Sequence, residues 1–257
     1  MKIITVAALK GGVGKTNFVF NFSTMLAANN HKVLVIDLDP QGSLSKTFKL
    51  NKKEANSKKL FIQDITIINE KIIENWNYEK LNIDVISTNI AMTVLEEELH
   101  IRISKETVLK RTFIKNIEFF KKYDYIIFDT NPSINVINKN ALLISDEIII
   151  ISDNSSYSLD AIHMLSNNWN FICKELNIQN NINTIIFNNF DNTKISKDLI
   201  DYINNSAFKN KVLKTKIKRL IQFKKSELTG VPVIFSEKKE NNPYYHIYNE
   251  LIERGVL

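Results

Sequence analysis

The chain has 257 residues, of which 44% are apolar and 24% are charged, and its formal net charge at pH 7 is +6. This balance is typical of a soluble globular protein, and the few glycines and prolines show no flexible linker, so we expect one domain over residues 1–257. A single cysteine excludes a disulfide framework and a cysteine-held iron–sulfur cluster. No apolar run approaches the roughly 20 residues of a membrane span. The first predicted strand begins at residue 2, so we expect no signal peptide and a cytoplasmic protein.

A glycine-rich loop lies between the first predicted strand, Lys2–Ala8, and a helical pattern over roughly Thr16–Ala28. Strand, loop and helix in this order predict a phosphate-binding loop, because glycines let backbone N–H groups face phosphate oxygens and the helix adds its positive end. Lys15 is predicted to reach the β- and γ-phosphates of a nucleotide, and the Thr16 hydroxyl to bind Mg²⁺. The other candidate nucleotide-binding residues are Lys10, Gly11, Gly12, Val13, Gly14 and Asn17.

This loop departs from the common pattern at Leu9, where a glycine is expected, and it carries an additional lysine, Lys10. With these features, K-G-G-V-G-K-T resembles the deviant Walker A loop of the ParA/MinD superfamily of ATPases. The resemblance implies an ATP- and Mg²⁺-dependent P-loop ATPase that forms a homodimer. In that superfamily, the lysine at the position of Lys10 crosses the interface to contact the nucleotide of the other subunit.

The second predicted strand ends in the acidic sequence D-L-D-P-Q-G, residues 37–42. Ligands of an open parallel sheet lie beyond the carboxyl ends of its strands, so Asp37 and Asp39 are placed near the nucleotide. The segment resembles the D-x-D-P-Q-G segment of ParA proteins, which implies that Asp39 positions the attacking water. The alternative is that both aspartates cap a helix that begins near Ser43, and for Asp37 capping is the favoured interpretation.

The stretch that follows carries weaker signals. Residues 49–60 are predicted to form a polar, basic surface loop, followed by a helix over about Gln63–Asn75 and a strand at Asn82–Ile86. One helix is predicted over about Lys105–Lys122. His31, in an earlier turn, is predicted to be a solvated loop residue because no metal-spaced partner lies nearby.

A third acidic strand end is formed by the predicted strand Tyr123–Asp129. In a P-loop ATPase such an aspartate holds Mg²⁺ beside the loop threonine, so Asp129 and Thr16 are the predicted metal residues. The following D-T-N-P-S resembles the D-T/C-P-P-S segment of the ParA family, with Asn131 in place of the first proline.

The later strands are predicted at Asp146–Ile151 and Ile182–Phe187, with a helix over about Ser158–Leu176 between them. His163 on this helix is predicted to serve in packing. The position of Asn188, directly after the last strand, resembles that of an asparagine that reads the adenine base in the ParA family.

Residues 209–225, here called the basic segment, contain eight lysine and arginine residues and no acid. An ordinary solvated face is one explanation, and binding to a phosphate backbone is the other. No base-reading module is visible, so sequence-independent binding of double-stranded DNA is predicted. Apolar residues interleave over Lys211–Ile217, which predicts a strand followed by a helix; Lys218 stands where related proteins have proline. The candidate DNA-binding residues are Lys214, Lys216, Lys218, Arg219, Lys224 and Lys225.

Strands alternate with helices along the chain, which predicts an α/β fold with a doubly wound, mostly parallel sheet and helices on both faces. The resemblance is to small ParA proteins. It implies a nucleoid-associated DNA-segregation ATPase of weak intrinsic activity that is released from DNA when a ParB-like partner stimulates hydrolysis. Two alternatives stay open: a MinD-like membrane-positioning ATPase, although the tail Glu250–Leu257 does not resemble a basic membrane anchor, and a dethiobiotin-synthetase-like carboxylase.

Overall fold

The computed structural model describes residues 1–50, 55–62, 72–155, 157–191 and 193–257. Within these residues a seven-stranded sheet runs in the order β3-β4-β2-β5-β1-β6-β7. All neighbouring strands are parallel except β3 and β4, which form an antiparallel edge pair. The strands are β1 Lys2–Ala7, β2 Val33–Asp37, β3 Glu74–Tyr78, β4 Leu81–Ile86, β5 Tyr125–Asp129, β6 Glu147–Ser152 and β7 Ile182–Phe187. The predicted doubly wound, mostly parallel sheet is confirmed.

Ten α-helices lie in the described residues, and they cover both faces of the sheet. They are α1 Lys15–Ala28, α2 Ser43–Thr47, α3 Met92–His100, α4 Val108–Lys115, α5 Ile117–Phe120, α6 Val136–Ile144, α7 Ser158–Glu175, α8 Lys194–Asn204, α9 Ile221–Thr229 and α10 Pro243–Glu253. None of the helices in the described part of the chain has the length and apolarity that a membrane crossing requires.

The two faces of the sheet divide the core, as β2 illustrates. Val33 and Val35 pack in the core on the side of α1 and α10, whereas Leu34 and Ile36 pack on the side of α3, α4 and α6. Successive side chains of a strand point to opposite faces, so a strand that is covered on both sides reads as an uninterrupted apolar run. This arrangement leaves the carboxyl ends of the strands as the edge where polar residues gather.

Helix α1 is buried almost all around, which fixes the loop that precedes it. Phe18 and Phe22 stack with their ring centroids 5.2 Å apart, and Phe20 meets the Trp76 ring edge-on at 5.8 Å. All three phenylalanines are fully buried, and each such burial stabilises the fold by about 1.5–3 kcal/mol. The start of α1 therefore has little freedom to move relative to the sheet.

The prediction of a helix over about Gln63–Asn75 is wrong at its end, and residues 63–71 lie outside the described part of the chain. Glu74 and Asn75 begin β3, which pairs with β4 across a turn in which Glu79 has a φ of 53°. This strand is amphipathic: Trp76 is buried against Phe20, while its neighbours on either side face solvent. A polar edge strand of this kind lacks the apolar run by which the other strands were recognised.

The single helix predicted over about Lys105–Lys122 is broken into three pieces. A 3₁₀ turn covers Lys105–Thr107, and α4 and α5 are separated at Asn116. The Asn116 side chain donates a 2.8 Å hydrogen bond to the carbonyl of Thr112. Such local bonding competes with the helical ladder, and it coincides here with the break.

Residues 49–60 are not the surface loop that was predicted, so far as they are described. Asn56–Phe61 form a 3₁₀ helix, and Leu60 and Phe61 are fully buried in the core. The prediction for residues 51–54 lies outside the described part of the chain.

The strand predicted at Lys211–Ile217 is also not formed as such. Val212 and Lys218 make isolated parallel bridges to Ile185 and Phe190. The segment between the bridges follows the edge of β7 without a continuous ladder. The helix predicted after it is α9.

His31 differs from its prediction as well, since it has packing partners. Its ring meets Tyr125 edge-on with centroids 5.0 Å apart, and Nε2 lies 3.0 Å from the Tyr248 hydroxyl. His163 packs against Phe208, as predicted for a packing residue, with ring centroids 4.9 Å apart.

Candidate nucleotide site

The glycine-rich loop joins β1 to α1 at the centre of the sheet, and two of its glycines have left-handed backbone conformations. Gly12 has a φ of 76° and Gly14 a φ of 83°, both in the region that disfavours other residues. A Cβ atom on Gly14 would also collide with Nδ2 of Asn188. No side chain caps α1 and no acid lies in its first turn, so the N–H groups there are suited to an anion.

Lys15 and Thr16 open α1 beside the acidic end of β5. Lys15 is 7% exposed, and Oγ1 of Thr16 donates a 2.8 Å hydrogen bond to Oδ2 of Asp129. The structure thus brings together the three residues that were predicted to act on phosphate and metal. They were identified from segments more than one hundred residues apart.

Asp129 fits a magnesium ion through an atom that the fold leaves unsatisfied. Its Oδ1 is buried and has no hydrogen-bond partner among the described residues. Burial raises the pKa of Asp129 to about 7, although the neighbouring charge of Lys15 opposes the rise. A cation would satisfy the free oxygen and favour the ionised carboxylate.

The described residues contain no cluster of three or more metal-ligating His, Cys, Asp or Glu side chains. A Mg²⁺ ion that binds together with a nucleotide takes most of its ligands from phosphates and water. Thr16 and Asp129 are the residues that would hold it. The single carboxylate and hydroxyl suffice for that mode of binding.

The two aspartates after β2 have different roles. Asp37 is fully buried, and its Oδ2 accepts hydrogen bonds from the backbone N–H and the hydroxyl of Ser45, at 2.9 and 2.6 Å. It therefore caps α2, the interpretation that was favoured from sequence. Burial raises its pKa to about 6, and the two bonds from Ser45 hold the rise back.

Asp39 lies in the turn outside this cap and is partly exposed. Its Oδ1 accepts a 2.9 Å hydrogen bond from the backbone N–H of Gln41. This bond holds the carboxylate through one oxygen, and no described residue donates a hydrogen bond to the other oxygen. A carboxylate held this way at the strand ends can orient a water molecule.

Lys10 is held within its own chain. Its Nζ lies 2.5 Å from Oδ2 of Asp153 and 2.8 Å from Oγ of Ser155, directly after β6. Partial burial pushes the pKa of Asp153 upward, but hydrogen bonds from Lys10, Ser158 and Ser155 outweigh it and leave the pKa below its usual value. The ammonium group of Lys10 is thus held beside the loop by a carboxylate and a hydroxyl group of its own chain.

Comparison with known proteins bears on this loop and sheet. A family model described as an AAA domain matches residues 1–185. The sporulation initiation inhibitor protein Soj of Bacillus subtilis is 31% identical over 260 residues, covering 99% of each chain. The chromosome partitioning protein ParA of Caulobacter vibrioides is 24% identical over 257 residues, covering 99% of this chain and 95% of its own. This chain belongs to the ParA/MinD-type ATPase family.

A solved structure extends this relation to three dimensions. A plasmid partition protein from Borrelia burgdorferi bound to AMPPNP is 26% identical, with a TM-score of 0.77, covering 98% of this chain and 97% of its own. The sheet and its helices are therefore those of a ParA/MinD-type ATPase over nearly the whole length.

Asn188 and Asn17, two predicted nucleotide-binding residues of this family member, have protein partners. Nδ2 of Asn188 donates a 2.7 Å hydrogen bond to the carbonyl of Val13, so the amide supports the loop from below. Its contact with adenine stays a prediction. Nδ2 of Asn17 donates to the carbonyl of Phe223 at 2.5 Å, and Oδ1 accepts from the Tyr244 hydroxyl at 3.1 Å. Since both polar atoms of the Asn17 side chain bind protein groups, the predicted contact of Asn17 with the nucleotide is now assigned to its backbone N–H.

The basic segment of this ATPase presents most of its charges to solvent. Among the described residues, none forms an ion pair with the exposed cations of this segment, which are Lys209, Lys214, Lys218, Arg219, Lys224 and Lys225. Lys216 is half-buried, with its ammonium group 5.4 Å from the centroid of the Phe190 ring. Five of the six predicted DNA-binding side chains are thus free to meet an anionic surface.

Asp153 and the serines that surround it were not among the residues predicted from the sequence. Asp153 directly follows a buried strand, as Asp37 and Asp129 end theirs. The same rule, that polar residues at the carboxyl ends of parallel strands face the site, identifies it. Its pairing with Lys10 spans 143 residues of sequence and could not be read from local pattern.

Proposed function

We propose that this chain is an ATP-switched DNA-partition ATPase. The observation that carries the proposal is that one chain combines two features. Lys10, Lys15, Thr16, Asp39 and Asp129 gather at the carboxyl ends of the strands, here called the nucleotide edge, and the exposed cations of the basic segment have no ion-pair partner among the described residues. Its relatives named for chromosome and plasmid partition support the same assignment.

In the proposed reaction, Lys15 and the N–H groups at the start of α1 bind the phosphates of ATP. Thr16 and Asp129 would hold Mg²⁺, which would neutralise charge that develops on the phosphates. Asp39 orients the attacking water, with one carboxylate oxygen fixed by the N–H of Gln41. We expect slow intrinsic hydrolysis, because one chain stabilises the negative charge of the transition state only in part. A partner that completes this stabilisation can therefore increase the rate greatly.

ATP then joins two subunits face to face, and Lys10 of each exchanges its bond to Asp153 for the nucleotide of the other. The dimer binds double-stranded DNA without sequence preference through the basic segment, which places the protein on the nucleoid in the cytoplasm. Hydrolysis, stimulated by a ParB-like DNA-bound partner, returns the subunits to the unbound state.

The proposal is tested by DNA co-sedimentation with ATP, with ADP and without nucleotide, over a salt series. We expect binding with ATP alone, and a steep fall in affinity as the salt concentration rises. An Asp39→Ala variant should bind ATP and remain on DNA, because its hydrolysis is lost. Binding that is absent, or equal in all three nucleotide states, contradicts DNA partition.

Anionic vesicles form a parallel arm of the same experiment. Sedimentation with vesicles but not with DNA in the presence of ATP would favour the MinD-like alternative. Hydrolysis by Asp39→Ala at the parent rate would show that Asp39 does not position the water.

A further inference from the structure

The turn after β5 carries a polar side chain, Asn131, at a critical place. Asn131 is the second residue after Asp129, at the carboxyl end of a central strand. The next residue, Pro132, lies against the phosphate loop: a Cβ atom on Gly11 would be 3.9 Å from its Cγ. The turn therefore lies against the phosphate loop, and it begins next to Asp129 and comes close to Gly11, the neighbour of Lys10.

The carboxamide of Asn131 is oriented by two donors. Its Oδ1 accepts hydrogen bonds from Oγ of Ser133 and from Nδ2 of Asn138, each at 2.7 Å. Because both bonds end on the oxygen, the NH₂ group must point elsewhere. It makes no hydrogen bond with a described residue, and it is not closed off from solvent.

Asn138, on α6, anchors this arrangement from the interior. It is 3% exposed, and its Nδ2 also lies 2.9 and 2.7 Å from the carbonyl oxygens of Asn131 and Ser133, so its two N–H groups are shared among three acceptors in the turn. The turn is thus held by a buried amide. A proline at position 131 would fix the backbone but could neither accept these bonds nor offer an NH₂ group.

The terminal phosphate of a bound nucleotide is expected near this turn. Thr16 and Asp129 would hold the Mg²⁺ that accompanies ATP, and this metal would draw the γ-phosphate toward Asp129. Asn131 is two residues further along the same turn. Its unused donor is therefore on the side of the site where ATP differs from ADP.

We propose that Asn131 is a nucleotide-binding residue that distinguishes ATP from ADP: its side-chain NH₂ donates a hydrogen bond to an oxygen of the γ-phosphate. The bond exists with ATP and is lost on hydrolysis, so the turn distinguishes the two nucleotides. This inference rests on the ATPase part of the proposed function and is independent of DNA binding.

The test compares AMPPNP and ADP affinities, with Mg²⁺ and without DNA, in Asn131→Asp and Asn131→Ala. Aspartate can accept the same two bonds from Ser133 and Asn138 but has no NH₂ donor, and it places a negative charge beside the phosphate. We expect AMPPNP affinity to fall about 10- to 100-fold in Asn131→Asp and about tenfold in Asn131→Ala. ADP affinity should stay within about twofold of the parent chain, because the missing bond is to the γ-phosphate.

The matched control is Asn168→Ala, an exposed asparagine on α7, which should leave both affinities unchanged. A parallel loss of AMPPNP and ADP affinity, or an unchanged ratio of the two in both variants, overturns the inference, because Asn131 would then only shape the turn. If one variant does not fold, as shown by its circular dichroism, the other decides. A parent chain that binds neither nucleotide would instead contradict the ATPase assignment itself.

Discussion

The nucleotide edge and the basic segment are both rich in charged side chains, but the fold holds these side chains in opposite ways. At the edge, Asp37 and Asp129 are fully buried, and Lys10 is paired with Asp153. In the basic segment, Lys224 and Lys225 are exposed and have no ion-pair partner among the described residues.

This difference predicts two kinds of response to mutation. Hydrogen bonds in a buried site depend on the position of single atoms, and an unsatisfied buried charge is costly. Exposed charges act through a screened field to which each contributes a similar, small amount. Single substitutions should therefore have large effects at the edge and graded effects in the basic segment.

The largest effect is expected for Lys15→Ala. It removes the cation predicted to reach the β- and γ-phosphates within the same chain, and it leaves Asp129 without the neighbouring charge that lowers its pKa. We expect ATP affinity, measured by isothermal titration calorimetry, to fall by at least about 100-fold, which corresponds to about 2.7 kcal/mol.

Lys32→Ala is the matched control, because Lys32 is exposed at the opposite, amino-terminal edge of the sheet. Its ATP affinity should match that of the parent chain. If Lys15→Ala also bound ATP with the affinity of the parent chain, ATP binding at the nucleotide edge would not depend on the position of this single ammonium group.

A smaller effect of the opposite sign is expected for Asp153→Ala. The ion pair with Lys10 must break before Lys10 can reach another subunit, and the two side chains are 34% and 17% exposed. A partly exposed pair of this kind contributes up to about 1 kcal/mol, and dimerisation breaks one pair in each subunit, so the substitution should tighten ATP-dependent dimerisation by up to about 30-fold in sedimentation velocity.

Lys10→Ala, by contrast, should abolish the ATP-dependent dimer. Asp160→Ala, which removes an exposed acid on α7, should have no effect. Weaker dimerisation in Asp153→Ala would mean that Asp153 belongs to the interface itself rather than holding Lys10 back.

Sequence pattern was sufficient where local signals and topology agree. The apolar runs of β1, β2 and β5 predicted parallel strands covered on both faces, and the glycine-rich loop predicted the start of α1. Since the carboxyl ends of such strands share one edge, the sequence predicts that Thr16 and Asp129 lie close together, and the structure joins them by a direct hydrogen bond.

What sequence could not predict depends on contacts between distant segments. Strand β3 has one buried side chain, Trp76, whose burial requires Phe20 and Phe48 from elsewhere in the chain. Likewise, the bond of Asn188 to Val13 spans 175 residues. Such contacts have no local periodicity, so tertiary packing overrides the propensity of the segment.

The smallest single effects are expected in the basic segment, which allows a graded test of the comparison. Each phosphate contact that is lost should make the slope of log K against log salt less negative by about 0.9. At 0.1 M salt this corresponds to a loss of up to about eightfold in affinity. We expect a loss of this size in ATP-dependent DNA binding from each of three single changes, Arg219→Ala, Lys224→Ala and Lys225→Ala. The losses in binding free energy should add when the changes are combined, while nucleotide affinity is retained.

The control is Lys110→Ala, which changes an exposed lysine on α4 at the other face of the sheet. Loss of all DNA binding from one of these single changes would contradict the additive description and indicate a specific, directional contact like those at the nucleotide edge.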